Sequence, residues 1–266
     1  MDIAKYNRLA WDQQVAKANR WTVPVSKELV SAAKTGEWDV VLTPEKPVPR
    51  TWFPPLRGLN VLCLASGGGQ QAPLLAAAGA RITVLDNSPR QLEQDQVVAR
   101  REGLEIKSVL GDTRDLTQFS PDTFDLIFNP CSVSFVPEVQ SVFAEAFRVL
   151  QPNGLLMCGF VNPVRYIFDE DKLEEGHLDV RHQLPYSDET HLTAEEQDKL
   201  RRDHEPFIFS HSLEELISGQ LRAGFVLRDL FEDRPDDDTV SKTVPVYFAT
   251  LAAKGTPRGQ DKPCSH

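Results

Sequence analysis

The feature that most constrains the fold begins at residue 60. Asn60–Ala65 (NVLCLA) is a short, nearly continuous apolar run, broken at once by Ser66-Gly67-Gly68-Gly69. A run of that length suits a strand buried on both faces. Gln70–Ala78 then has helical spacing and stops at Gly79. The alternation repeats. Arg81–Leu85 reads as a strand ending at Asp86, and Pro89–Glu102 as a helix with proline in its first turn. Glu105–Leu110 and Phe124–Asn129 are further strands, and Val139–Leu150 is an amphipathic helix. A turn at Gln151–Gly154 leads into a strand at Leu155–Phe160. Alternation of this kind predicts an α/β chain: a largely parallel sheet with right-handed crossovers and helices on both faces. Ligands in such sheets bind at the carboxyl ends of the strands. Ser212–Ala223 reads as a helix opened by a capping box, Ser212 with Glu215. Phe225–Phe231 and Val244–Leu251 follow with no helix between them, so they pair antiparallel.

The flanking segments differ in texture. Residues 1–59 hold all four tryptophans, and five prolines fall between Thr43 and Pro55. Helices are expected at Lys5–Ala18 and at Ser26–Thr35, with Ser26 as N-cap, followed by an extended arm. The expected organisation is an N-terminal helical and extended cap (1–59) and a core (60–253). A lid insert (162–211) interrupts the core, and a disordered tail (254–266) follows it. The chain carries a net charge of −10 over 266 residues. The insert alone holds six basic and thirteen acidic side chains. Its acids either attract a cationic acceptor or form a solvated helical face, with Glu195, Glu196, Asp198 and Glu205 beside Lys199, Arg201 and Arg202; the second reading is favoured. An acidic chain argues against nucleic-acid partners. No apolar run approaches the ~20 residues of a membrane span, and Met1–Ala10 has no signal-peptide core. Cys63, Cys131, Cys158 and Cys264 form no CxxC pair, which fits a reduced, cytoplasmic protein. No metal is expected, since His177 and His182 would not share a helix face.

The chemistry concentrates at the glycine turn. Glycines there let the backbone approach a ligand, and Asp86, at the end of the second strand, is placed to accept both hydroxyls of a ribose. A nucleoside-containing cofactor follows. The turn alone does not identify it, because Gly67-x-Gly69-x-x-Ala72 also meets the loose dinucleotide pattern.

Six pieces in order carry a resemblance: VLCLASGGG, VLDNSPRQLEQ, GDTRDL, FDLIF, FRVLQPNGLL and SLEELISGQLRAGF. Over about 60–253 the chain resembles the class I S-adenosylmethionine-dependent methyltransferases of the small-molecule type. The resemblance implies a Rossmann-like, seven-stranded, mostly parallel sheet with an antiparallel last strand. It implies S-adenosylmethionine as cofactor and a small-molecule acceptor. Ala65, Ser66 and Gly67 would pass under the methionine part, Asp86 would hold the ribose and Asn87 would lie beside the adenine. Asp112 and Thr113 would flank the adenine edge, and Asn129 would face the methionine moiety and the acceptor. Two positions depart from the family: Cys63 stands where an acid is usual, and Ala65 where glycine is usual. Trp11, Asn19, Arg20, Trp21 and Thr22 of the N-terminal arm are candidates to compensate. Tyr166, His177, His182, Tyr186, His204 and His211 are candidate acceptor contacts. Three alternatives stand beside this reading. One is an NAD(P)-dependent oxidoreductase, although no tyrosine is followed four residues later by lysine. Another is a non-catalytic cofactor-binding or partner-binding member of the same fold. The last is a methyltransferase acting on macromolecules.

Overall fold

A computed structural model of the chain describes residues 2–255. Two helices come first, α1 (Ile3–Ala16) and α2 (Lys27–Lys34), the latter capped by Ser26 as expected. The alternating region follows as β1 (Asn60–Leu64), α3 (Gln71–Ala77), β2 (Arg81–Asp86), α4 (Pro89–Glu102) and β3 (Ile106–Leu110). It continues with β4 (Phe124–Asn129), α5 (Gln140–Val149) and β5 (Leu150–Val161). The insert carries the short helices α6 (Glu170–Glu174), α7 (Asp188–His191) and α8 (Ala194–Asp203). The last helix opens with a π turn at Glu214–Ser218 and closes as α9 (Gly219–Arg222), ahead of β6 (Phe225–Asp233) and β7 (Tyr247–Lys254). The capping box of Ser212 with Glu215 is present at its start.

The seven strands form one sheet in the order β3-β2-β1-β4-β5-β7-β6. β7 runs antiparallel to both of its neighbours, and the other pairings are parallel. The sheet is therefore the one the alternation and the final hairpin predict. Several boundaries differ by a few residues, two of them with a visible cause. β5 starts at Leu150, and the expected turn survives as an irregularity near its start, where Asn153 has φ +66°. Lys254, assigned from sequence to the tail, ends β7, and its ammonium bonds the Leu150 carbonyl. The expected disorder of 256–266 lies outside the described residues.

Strand alternation sorts the core into two layers. Val61, Cys63, Val84 and Phe128 face one layer, and Leu62, Leu64, Leu85 and Ile127 the other. Cys63 is thus a buried hydrophobe, as its setting in the apolar run suggested. The N-terminal 59 residues divide in function. Val30, Val40, Leu42, Val48, Trp52 and Leu56 are part of the first core layer, so the proline-rich arm is packed into the sheet. The stretch up to about residue 22 lies over the strand ends, and Val41–Pro44 of the arm also border them. The arm is held because Gly159 of β5 lets the Leu42 carbonyl approach. A Cβ there would fall 2.0 Å from that oxygen.

Candidate functional site

Above the carboxyl ends of the strands lies a cavity of about 1060 Å³. Ala65, Ser66, Gly67, Asp86, Asn87, Asp112 and Thr113 all line it. They come from the ends of β1, β2 and β3, which parallel pairing sets side by side.

The glycine turn is gripped from below. Gly67 N–H donates to Asp86 Oδ2 at 3.0 Å, and Ser88 N–H donates to Asp86 Oδ1 at 2.8 Å. Each oxygen of Asp86 keeps acceptor capacity for a diol. Burial pushes the Asp86 pKa up to about 6, against the backbone bonds from Ser88, Gly67 and Asn87 that favour the charged form. Gly69 N–H donates to the Asp95 carboxyl of α4 at 3.2 Å. Two of the turn's amides are therefore met by carboxyl groups. A pyrophosphate would find acids there instead of free donors, which counts against a dinucleotide. A sugar diol without phosphate fits. The buried Ser66 Oγ lines the same cavity without a hydrogen-bond partner among the described residues.

Gly67 lines the cavity, whereas Gly68 and Gly69 do not. Their lack of a side chain serves packing: a Cβ on Gly68 would fall 2.6 Å from the Trp21 carbonyl, and one on Gly69 2.9 Å from the Gln94 carbonyl. Ala65 has φ +45°, in the left-handed region where an alanine costs about 1 kcal/mol and glycine nothing. That is the physical content of the alanine-for-glycine departure.

Beside Asp86, Asn87 Nδ2 donates to the Ala4 carbonyl of α1 at 2.8 Å, and Ser88 Oγ donates to Asp12 at 2.6 Å. Asp112 does not stand alone. Burial alone would raise its pKa, but the Arg114 guanidinium and backbone N–H bond it and hold it below the usual carboxylate range.

Asn129 corrects the sequence reading. Its side chain is 1% exposed and is absent from the cavity wall. Nδ2 donates to the Leu64 carbonyl (2.7 Å) and to Ser132 Oγ (2.8 Å), while the Cys158 thiol donates to Oδ1 (3.1 Å). It ties the ends of β1, β4 and β5 together below the floor. His177 is likewise outside the cavity, exposed on the turn after α6. His204 is exposed at the end of α8, and His211 is buried against the carbonyls of Val133 and Val136.

The roof is α1 and the insert. Trp11 lines the cavity and meets Phe135 edge-on at 5.1 Å. Trp21 lines it at the rim, with the Arg20 guanidinium 4.5 Å above its ring. Asn19 lines it too, and accepts from Trp21 N–H. Asn7 fastens the roof: its Oδ1 accepts from Phe207 N–H at 2.8 Å, and its Nδ2 reaches the carbonyls of Phe135 and Phe207 at 3.0 Å.

Past the end of β4 the wall becomes aromatic. Tyr166 and Tyr186 stack with centroids 5.9 Å apart, and the His182 ring lies 4.7 Å from Tyr186. The Tyr186 hydroxyl donates to the buried Asp188 at 2.6 Å. Burial, then Arg181 and His191, lower the His182 pKa, so its imidazole is neutral at neutral pH. The insert's acids divide. Glu195 and Asp198 face solvent, whereas Glu196 and Glu205 line the cavity, paired with Arg181 at 2.5 Å and Lys17 at 3.7 Å. Arg165 is matched by Glu170 and Asp238, each at 2.8 Å. No group of three or more His, Cys, Asp or Glu among the described residues comes together to hold a metal.

Asn7, Gln91 and Asp95 were not singled out from sequence. The signal for them is a polar residue on a helix's apolar stripe. On α4 the buried positions are Gln91, Leu92, Asp95, Val98 and Ala99, and on α1 they are Ile3, Asn7, Ala10 and Gln14.

Comparison with known proteins agrees with this geometry. Residues 62–158 match a family model described as a methyltransferase domain. A protein of Bacillus subtilis (strain 168), named uncharacterized methyltransferase YbaJ, is 46% identical over 252 residues. The match spans 95% of this chain and 98% of that protein. The ubiquinone biosynthesis O-methyltransferase of Maricaulis maris (strain MCS10) is 28% identical over 108 residues, covering 41% of this chain and 42% of its own length. Among solved structures, an S-adenosylmethionine-dependent methyltransferase from Mesorhizobium loti superposes with a TM-score of 0.58 at 18% identity. It covers 77% of this chain and 94% of its own. One from Methanosarcina mazei gives 0.57 at 19% identity, over 80% and 99%. These two likenesses concern the fold.

Proposed function

The chain belongs to the class I S-adenosylmethionine-dependent methyltransferases, and from that premise we propose that it methylates a small, uncharged organic acceptor inside the roofed cavity. The observation that carries this is the continuity of one cavity from the glycine turn to the wall of Tyr166, Tyr186 and His182. Cofactor and acceptor then share a single cavity.

In this reading Ala65, Ser66 and Gly67 carry the methionine part, Asp86 takes the ribose hydroxyls, and Asn87, Asp112 and Thr113 border the adenine. Trp11 and Trp21 close the site from above. S-adenosylmethionine, when bound, supplies an electrophilic methyl group on a sulfonium. The protein's task is alignment and exclusion of water. Tyr166 and Tyr186 present flat apolar faces to the acceptor. His182 is uncharged, and neither of its ring nitrogens has a hydrogen-bond partner among the described residues, so it is the group to take an O–H or N–H proton from the acceptor.

Charge supports an uncharged, non-polymeric acceptor. The two insert arginines that line the cavity, Arg165 and Arg181, are matched by carboxylates, and Asp171, Glu174, Glu196, Asp203 and Glu205 border the cavity on that side. A phosphate-bearing polymer would meet those acids. No helix among the described residues is long and apolar enough to cross a membrane. The test is a screen of small aromatic and aliphatic acceptors with isotopically labelled cofactor. Label is expected in a neutral aromatic acceptor. Transfer confined to nucleic acid or protein contradicts the proposal.

A further inference from the structure

A fully buried acid stands beneath the glycine turn with no part in the chemistry described so far. Asp95 sits on the inner face of α4 and is 0% exposed. Its Oδ1 accepts from Gly69 N–H at 3.2 Å, and its Oδ2 has no partner among the described residues. Burying a carboxyl this way is costly, so the fold keeps it for what its one bond achieves.

That bond completes a clamp. The turn presents three consecutive amides, and each is met by a different acceptor. Gly67 N–H goes to Asp86, Gly68 N–H to the Gln91 carbonyl at 3.0 Å, and Gly69 N–H to Asp95. From above, Val25 N–H donates to the Gly69 carbonyl at 2.9 Å. Three glycines have no side chains with which to fix their own conformation. β1 offers no carboxyl below the turn, because position 63 is a buried thiol. α4 supplies it, four residues beyond Gln91 and on the same helix face.

We propose that Asp95 is a positioning residue of the cofactor site: from the core, it holds the glycine turn in the shape that sets Gly67 and the Asp86 carboxylate against the cofactor. Asp95 touches no ligand itself and is absent from the cavity wall. Burial and the neighbouring Asp86 charge raise its pKa well above the usual carboxylate value. An amide of the same shape keeps an oxygen for Gly69 N–H to donate to.

This inference rests on the cofactor site proposed above. S-adenosylhomocysteine binding to the wild-type protein tests that site separately. The experiment titrates S-adenosylhomocysteine calorimetrically into wild type, Asp95→Asn and Asp95→Ala, with thermal unfolding measured alongside. Asp95→Asn is expected to bind within about twofold of wild type. Asp95→Ala leaves a buried N–H without an acceptor and is expected to bind about tenfold more weakly while still folded at the titration temperature. Should Asp95→Ala not fold, Asp95→Ser, which is too short to span the contact but leaves room for water, carries the same comparison. Wild-type affinity in the Ala or Ser variant, or an Asn variant as weak as Ala, overturns the proposal.

Discussion

The two sides of the cavity are built by different means. The floor is made of strand ends and the turns that follow them. Ala65, Asp86 and Asp112 are placed by parallel pairing between neighbouring strands, and their partners are close in sequence. The roof is made of α1 and the insert, joined by side chains reaching across the chain: Asn7 to Phe207, 200 residues apart, and Gln14 to the His204 carbonyl, 190 apart. The floor thus shares the stability of the sheet, and the roof is held by a small apolar cluster of Ile3, Phe207 and Phe209 together with a few buried polar contacts. A molecule built this way can open its site without disturbing the surface proposed to hold the cofactor.

The sharpest way to break this contrast is at the floor. Asp86→Ala removes the two charge-assisted acceptors proposed for the ribose and is expected to weaken S-adenosylhomocysteine binding about a hundredfold, with the fold intact. Calorimetric titration checks it. The roof is tested by Asn7→Ala, which strips Phe207 N–H and two carbonyls of their partner. A loss of about 2 kcal/mol in local stability is expected. Hydrogen exchange should accelerate in residues 200–209 and stay slow in β1 and β4. Equal acceleration in both regions would mean that floor and roof are one unit.

Acid sharpens the floor. Burial pushes the Asp86 pKa up to about 6, and in the proposed site its ionised form accepts the ribose hydroxyls. Cofactor affinity should be flat above pH 7 and about tenfold lower at pH 5. The sign for stability is opposite. The folded pKa lies above the unfolded value of about 3.9, so between about pH 4 and 6 the folded state binds more protons. This group's contribution therefore worsens as pH rises through that window. Ala65→Gly relieves a left-handed alanine and should add about 0.5–1 kcal/mol to stability, read from denaturant midpoints, with cofactor affinity unchanged. The smallest effect belongs to the insert's surface. Lys172→Ala breaks an exposed pair with Glu175 and should shift stability by less than about 0.5 kcal/mol.

What was legible in the sequence follows the same division. β1, the glycine turn, β2 with Asp86, and α4 from Pro89 to Glu102 were readable because each is set by neighbours in the chain. Asn129 was misplaced because its position at a strand end was visible but its partners Leu64 and Cys158, on β1 and β5, were not. His177 was proposed on residue type alone, and nothing local tells an exposed turn histidine from a cavity one. Tyr166, His182 and Tyr186 meet only because the insert folds back over the strand ends. The polar residues on the buried stripes of α1 and α4 were the one unread local clue to the roof and to the clamp beneath the turn.

The most direct test of the account is where the ribose of S-adenosylhomocysteine sits in a crystal of the complex. The account predicts both ribose hydroxyls within hydrogen-bond distance of the Asp86 carboxylate, the adenine between Asn87 and Asp112–Thr113, and the space before Tyr166 and His182 left free for an acceptor. A ribose that makes no contact with Asp86, or a nucleoside lying along the aromatic wall, would contradict it.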